Sequence, residues 1–246
     1  MLGLATGTAA LVIVLSAFNG MQGLIRGMYG TFDPDLKIVA AGGKSFPADS
    51  SFFQKVKQAA PSGTITKVVE DNALALYQQT QRVVKVKGVT EAFLQQRGFQ
   101  ESVLGGRPIL SDRHIDLALV GAGIYADMGI SIDNPVDPLQ VWYPKGGKKV
   151  SLNPNTAFNK SALTVGGVFS VQPEYDQQYV IVPFAFAEEL FELEGRLSAL
   201  ELRFKNDEEV SIAQTKLQAN LGEKFKVLNQ DEQHADLLKI LTIEKL

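Results

Sequence analysis

The apolar positions change their period several times along the chain, and each change marks an element. Leu2 to Phe18, LGLATGTAALVIVLSAF, carries no charge, and the first charged residue is Arg26. An apolar run of about 18 residues has the length a helix needs to cross the hydrocarbon core of a bilayer. A helix also satisfies its own backbone groups there. Gly3, Ala5, Gly7, Ala9 and Ala10 are small residues of the kind that let one membrane helix approach another. Two other readings compete, a signal peptide and a buried globular helix. Nothing basic precedes the run, and Leu15-Ser16-Ala17 leads into Phe18 and Asn19, which favours the membrane helix over a cleaved leader. Past Phe18 the pattern narrows to one face. Phe18, Met21, Ile25 and Met28, flanked by Leu24 and Tyr29, predict an amphipathic stalk that Gly30 and the turn Phe32-Asp33-Pro34 bring to a stop.

Short strands and helices then alternate. Asp35 to Ala40, DLKIVA, reads as a strand, and a helix capped by Asp49 or Ser50 carries Phe52, Phe53 and Val56 as far as Pro61. Thr64 to Val69, Ala73 to Tyr77 and Arg82 to Lys87 read as a three-strand meander with turns at Glu70-Asp71-Asn72 and Gln78 to Gln81. The lysines of its third strand suit a face open to water. Thr90 is placed to cap a short helix through Phe93 and Leu94, and Gly98 to Arg113 looks irregular. Ile115 to Leu119, Leu139 to Tyr143, Ala162 to Phe169, Gln178 to Pro183, Leu200 to Phe204 and Lys224 to Leu228 are further strands. Phe184 to Leu193 is a helix whose Glu188, Glu189, Glu192 and Glu194 form a solvated face. Glu208 to Leu221 is another, with Val210, Ala213, Leu217 and Leu221 in register. From Gln233 the pattern turns helical again, with Leu237, Leu238 and Leu241 on one side. Strand, helix, strand thus occurs at both ends of the domain. The predicted fold class is α+β, with a discontinuous α/β subdomain built from the first and last parts around an inserted β-rich subdomain.

Composition narrows the chemistry. A chain of 246 residues with 45% hydrophobic residues can build one large domain or two small ones. Its net charge of −3 lacks the basic footprint of a nucleic-acid binder. With no cysteine there is no thiol catalysis, thiolate metal site or disulfide, and the only histidines, His114 and His234, lie far apart. Two glycine motifs invite a phosphate or cofactor reading. Gly43-Lys44-Ser45 resembles the end of a phosphate-binding loop, but position 38, where that loop needs a glycine, is Ile38, and Pro47 interrupts the helix that should follow. Gly121-Ala122-Gly123-Ile124-Tyr125-Ala126 matches a dinucleotide fingerprint after a strand. Its helix can reach only about Met128 before Gly129, too short for the crossover of a unit of about 30 residues. Tight strand-to-helix turning explains the glycines better. No catalytic residue, cofactor-binding residue or metal ligand is assigned, and no cofactor is expected.

The stretch Pro144 to Ser161, PKGGKKVSLNPNTAFNKS, stands apart as a long hairpin tip. It is either a loop without consequence or a projection that touches a partner.

Gly7-Thr8-Ala9-Ala10-Leu11-Val12-Ile13-Val14-Leu15-Ser16, running through Phe18-Asn19-Gly20-Met21, resembles the end of the first membrane helix of LolC/LolE-type ABC transporter permeases, within the MacB/FtsX-like superfamily. Phe32-Asp33-Pro34-Asp35-Leu36-Lys37-Ile38 sits where that family's first extracytoplasmic strand begins. Val120 to Val141 is similar to its glycine, small helix, strand element, and Leu237 to Lys245 resembles the helix leading into the second membrane helix. The resemblance implies a fragment of a longer permease. Residues 1–18 end the first membrane helix, 19–31 form a stalk, 32–232 form the extracytoplasmic domain and 233–246 lead to the second membrane helix. Within the domain, approximately 32–89 and 165–232 make one subdomain and 90–164 the insertion. It also implies an inner-membrane protein with its main domain in the periplasm and no catalysis of its own. The implied partners are two cytoplasmic ATPase subunits, a second permease subunit, a lipoprotein substrate and a periplasmic lipoprotein carrier. In the hairpin, Lys145, Lys148 and Lys149 would steer an acidic patch on that carrier, and Leu152, Pro154 and Phe158 would anchor it. MacB-like export and FtsX-like signalling are the alternatives within the superfamily. Outside it stand a secreted enzyme behind a signal peptide and a soluble cofactor enzyme built on Gly121 to Ala126.

Overall fold

The computed structural model describes residues 12–16, 31–96, 98–113, 115–132, 137–145 and 157–233. Its strands are β1 (Leu36–Ala40), β2 (Phe46–Pro47), β3 (Thr64–Tyr77), β4 (Thr80–Val89), β5 (Val103–Gly106), β6 (Ser111–Asp112), β7 (Ile115–Gly121), β8 (Leu139–Pro144), β9 (Phe158–Phe169), β10 (Tyr179–Pro183), β11 (Arg196–Leu197), β12 (Ala199–Arg203) and β13 (Phe225–Asn229). After the helical residues 12–16 come the domain's own helices: α1 (Ser50–Ala59), α2 (Ala122–Met128), α3 (Pro173–Asp176), α4 (Phe184–Leu190), α5 (Asp207–Leu221) and α6 (Gln230–Gln233).

The first and last parts of the chain fold together. β13, β1, β12 and the start of β3 lie side by side in that order, every neighbour antiparallel. This is a split β-α-β arrangement, β1-α1-β3 interleaved with β12-α5-β13. Both helices cover one face. Phe52, Val56 and Ala59 of α1 and Ala213, Leu217 and Leu221 of α5 pack on Leu36, Ile38, Leu200 and Leu202. Asp49 starts α1 by accepting the Phe52 N–H at 2.8 Å, a cap worth about 1 kcal/mol.

Between β3 and β12 the chain closes a barrel. The second half of β3 pairs with β4, β4 with β10, β10 with β7, β7 with β9, β9 with β8, and β8 with β3 again. The inward positions alternate along each strand, Ala73 and Ala75 on β3, Val84 and Val86 on β4, Leu139 and Val141 on β8, Val180 and Val182 on β10, and they form one core. Helices α2 and α4 plug it with Ile124, Met128, Phe186 and Leu190. A third cluster, centred on Phe32, Phe93, Phe99, Phe169 and Tyr175, covers the outer side of the sheet where barrel and split unit adjoin.

The structure corrects several expectations. Glu70-Asp71-Asn72 is no turn: β3 runs unbroken from Thr64 to Tyr77, because its first half belongs to the split unit and its second half to the barrel. The only reversal is at Gln78, whose φ is +51°. Lys87 does not face water. It is 2% exposed, lies over the rings of Phe32 and Phe93, and approaches Glu201 Oε1 at 2.8 Å. Thr90 does not cap with its side chain; its hydroxyl accepts the Lys67 N–H at 3.3 Å, and only a 3-10 turn, Glu91–Phe93, follows. Gly98 to Arg113 contains β5 and β6.

Among the described residues no helix is long and apolar enough to cross a membrane. Of the run 2–18 only 12–16 are described, and there Val12, Ile13, Val14 and Leu15 are exposed. The expected stalk at 18–29 and the final helix at 237–246 lie outside the described residues.

Candidate functional site

The hairpin that the sequence singled out rises from one rim of the barrel. β8 and β9 run antiparallel from Leu139 opposite Leu163 up to Pro144 opposite Phe158. One rung further, the Lys145 N–H donates to the Ala157 carbonyl at 2.9 Å. Of the six residues proposed for partner contact, Lys145 is exposed and Phe158 half-buried. Lys148, Lys149, Leu152 and Pro154 lie outside the described residues.

Alternation gives the hairpin base two different faces. Outward, Trp142 sits opposite Lys160, and Pro144 opposite Phe158. The Trp142 and Phe158 rings are 6.0 Å apart, and the Lys160 ammonium stands 4.1 Å above the indole, a cation–π contact. Inward, the Tyr143 hydroxyl donates to Asp71 Oδ2 at 3.0 Å, and the Tyr143 ring meets Phe191 edge-on at 4.6 Å. Asn159 Nδ2 donates to the Leu190 carbonyl at 3.1 Å and to Glu192 Oε1 at 3.0 Å. Asp71 also receives Lys44 at 3.1 Å, from the loop after β1, so the rim is tied to the split unit.

These contacts set the charge states. Burial alone would push the Asp71 carboxyl up, but the Asn72 N–H, Lys44 and Tyr143 outweigh it and hold the group below its usual range. Burial, then the bond to Asp71, pushes the Tyr143 phenol up to about 12. The rim is therefore a carboxylate held ionised beneath a neutral phenol. It orients the hairpin and offers no proton near neutral pH.

The residues of the two glycine motifs serve packing and surface contacts. At Gly121 a Cβ would come within 2.3 Å of the Asp176 carbonyl, and at Gly123 within 2.7 Å of Gln177 Cγ. Both glycines are used where α2 packs against α3, and α2 ends at Gly129, as its sequence predicted. Lys44 and Ser45 bond to Asp71 and Arg196, and Ile38 is a fully buried strand residue. Glu188 caps the Gly195 N–H and Glu192 holds Asn159. Among the described residues no cluster of three or more metal-ligating side chains occurs; His114 and His234 lie outside them.

Sequence reasoning missed Trp142, Tyr143, Asp71, Asn159 and Lys160 as the hairpin's footing. The signal was partial: alternation separates Trp142 from Tyr143, but a hairpin bounded at Pro144 and Ser161 sets Trp142 opposite Leu163, three residues from its observed partner Lys160. The Asp71 link had none, since it depends on β3 continuing past residue 70.

The described residues thus form a barrel inserted into a split β-α-β unit, with the β8–β9 hairpin at its rim. The chain belongs to the family of MacB-like periplasmic core domains, which matches residues 1–220. Its fold is similar to the extracellular domain of the noncanonical ABC-type transporter YknZ from Gram-positive bacteria, at 14% identity and a TM-score of 0.53, over 79% of this chain and 99% of that one. It is also similar to the periplasmic region of MacB from Actinobacillus actinomycetemcomitans, at 13% identity and a TM-score of 0.53, over 89% of this chain and 96% of that one. No curated protein matches the chain by sequence.

Proposed function

We propose that this chain is the extracytoplasmic domain of an ABC transporter permease subunit, held at the inner membrane by the apolar run at its start. It performs no chemistry. It transmits motion driven by ATP hydrolysis in separate cytoplasmic subunits to a cargo outside, in partnership with a second permease subunit. The observation that carries this reading is where the domain's two ends meet. Gln233 Nε2 donates to the Pro34 carbonyl at 3.1 Å, and Gln230 lies 3.5 Å from Asp35 Oδ1. The residues after the incoming segment and before the outgoing one are thus side by side on the split unit. A pull on this pair reaches the barrel through Phe32, whose ring stacks on Tyr175 at 4.3 Å, and through Asp33, which accepts the Tyr175 hydroxyl at 2.5 Å.

For the cargo we infer a lipid-modified protein passed to a periplasmic carrier, with the hairpin as the carrier's contact. Lys145, Lys148 and Lys149 supply steering charge, and Leu152, Pro154 and Phe158 supply apolar anchors. The family match supports MacB-like export equally well. One experiment separates the two. Replacing 146–157 by a short Gly-Ser turn leaves the fold intact, since a loop tip adds little to a core. On the lipoprotein reading it abolishes capture of a carrier from periplasmic extract; undiminished capture rules the hairpin contact out. Titration of the chain with NAD or ATP should give no shift in melting temperature, and a saturable shift would reinstate a cofactor site.

A further inference from the structure

Among the described residues the 11-stranded sheet ends at β13, and that edge is closed by side chains. Four backbone groups of β13 are satisfied in a row. Gln218 Nε2 donates to the Phe225 carbonyl at 3.0 Å, and the Val227 N–H donates to Gln218 Oε1 at 3.1 Å. Gln214 Nε2 donates to the Val227 carbonyl at 2.9 Å, and the Asn229 N–H donates to Glu232 Oε2 at 2.9 Å. Gln214 Nε2 also donates to the same Glu232 oxygen at 2.7 Å, which joins these two side chains, while Gln218 and Gln214 meet at the Val227 peptide groups. Two side-chain amides and a carboxylate occupy the places a neighbouring strand's peptide groups would take. A groove of about 530 Å³ lined by Thr215, Gln218, Ala219, Gly222 and Glu223 runs beside them.

The row of groups, carbonyl 225, N–H 227, carbonyl 227, N–H 229, is self-complementary. In an antiparallel pair, two residues directly opposite exchange both their bonds. Two copies of β13 placed antiparallel about Val227 would therefore exchange both bonds at 227, and each Asn229 N–H would meet the other Phe225 carbonyl. The charges agree with this direction. Lys224 and Lys226 open the strand while Asp231 and Glu232 follow it, so an antiparallel copy sets basic start against acidic end; Glu223 alone runs against the pattern. A parallel copy would set like against like.

We propose that the β13 edge is a strand-pairing surface for a second copy of this chain, antiparallel about Val227, and that Gln214, Gln218 and Glu232 hold it shut. An unpaired edge is a ready template for another strand, and backbone bonds of this kind give strand addition its affinity. The inference is independent of what the transporter carries.

The test uses the full chain in detergent micelles and exploits its lack of cysteine. In the proposed register Lys226 of one copy faces Leu228 of the other. Chains carrying Lys226→Cys are mixed with chains carrying Leu228→Cys and oxidised, with a Lys55→Cys and Lys57→Cys mixture on α1 as the collision control. The mixtures are made in the native background, with Gln214→Ala/Gln218→Ala, and with Gln214→Met/Gln218→Met, which keeps length but removes the amides. Removing the guard should raise the 226–228 cross-linked dimer about tenfold, as strand addition to an opened edge predicts, without changing the α1 control. A folded guard variant that cross-links no better than native overturns the proposal. So does an equal rise in the control, which would mean unspecific association, or a native pair that already cross-links as fully. Unfolding of both guard variants would also overturn it, because the amides would then hold the fold together and not the edge shut.

Discussion

The split unit and the barrel solve the same problem, burying one face of every strand, in opposite ways. In the split unit two helices lie over an open four-strand sheet, and Leu217 and Val56 are fully covered without any strand having to close on another. The open sheet keeps an edge, and side chains of α5 and α6 have to satisfy it. The barrel abolishes its edges by closing the ring from β3 through β8. Closure needs partners far apart in sequence, with β10 parallel to β4 and β7 parallel to β9. Local order built with helices tolerates a loose edge; a closed ring has no loose member but depends on each strand. The two meet along β3, which serves both, and at the buried pair Lys87 and Glu201, one on a barrel strand and one on the split unit.

That pair is where the comparison breaks most easily. Lys87 Nζ and Glu201 Oε1 are in charge contact at 2.8 Å without an aligned hydrogen bond, and Glu201 Oε2 has no hydrogen-bond partner. Glu201→Ala leaves the ammonium buried under Phe32 and Phe93, and removing one partner of a buried pair costs about 3–5 kcal/mol. Equilibrium denaturation should show that loss, whereas Lys87→Met/Glu201→Leu should recover most of it. If Glu201→Ala unfolds as late as the native chain, the junction is held by the aromatic cluster alone.

Truncating one core residue in each region sharpens the contrast. Leu139→Ala in the barrel and Leu217→Ala under α5 each remove a fully buried side chain, for about 2–5 kcal/mol. Their hydrogen-exchange patterns should differ. Leu217→Ala should speed exchange in α5 and β13 while the barrel stays protected, and Leu139→Ala should speed exchange round the whole ring. Uniform acceleration from both would mean the two regions open as one unit. Gly121→Ala comes next: the 2.3 Å approach to the Asp176 carbonyl forces α3 away, and overpacking of this kind costs about 1–3 kcal/mol. The melting temperature should fall with no change in the response to NAD.

The same division explains how much of the molecule could be read in advance. The split unit's helices were legible because their cores repeat at helical spacing, as with Ala213, Leu217 and Leu221, and because Asp49 signals its cap. The barrel's strands were legible singly, since alternation in Leu139 to Tyr143 or Ala162 to Phe169 is local. Their closure was not. Nothing within Tyr179 to Pro183 says that it pairs parallel with β4, and Glu70-Asp71-Asn72 reads as a turn because the residues that meet Glu70 and Asp71, namely Lys85, Lys44 and Tyr143, are remote in sequence. Lys87 was misread for the same reason: its partner Glu201 is contributed by the other end of the chain. The candidate hairpin was legible from composition, because glycine, proline and lysine crowd between two alternating runs. Its footing on the barrel rim was not, because it rests on β3.

The smallest effect concerns that footing. Tyr143→Phe keeps the ring against Phe191 and removes one hydrogen bond, for about 0.5–1.5 kcal/mol near neutral pH. The pH profile says more than the size. Asp71 sits below its usual range in the folded chain, so the stability it contributes is present above the unfolded carboxylate value of about 3.9 and is lost as pH falls through the folded value. The variant should lose less on that acid side, because Asn72 and Lys44 remain but the phenol does not. At the alkaline end the sign follows the same rule. Tyr143 is raised to about 12, so its contribution is complete below the unfolded tyrosine value of about 10 and falls away between there and about 12. Tyr175 and Tyr179 are also pushed up, chiefly by burial, and give both proteins an alkaline decline. The difference between native and variant profiles isolates the rim. It should be widest between pH about 5 and 10 and narrow at both ends, as both linked groups predict. A difference that stays constant across that range would mean that Tyr143 acts only through packing, and that the rim carboxylate is held by Lys44 and the backbone alone.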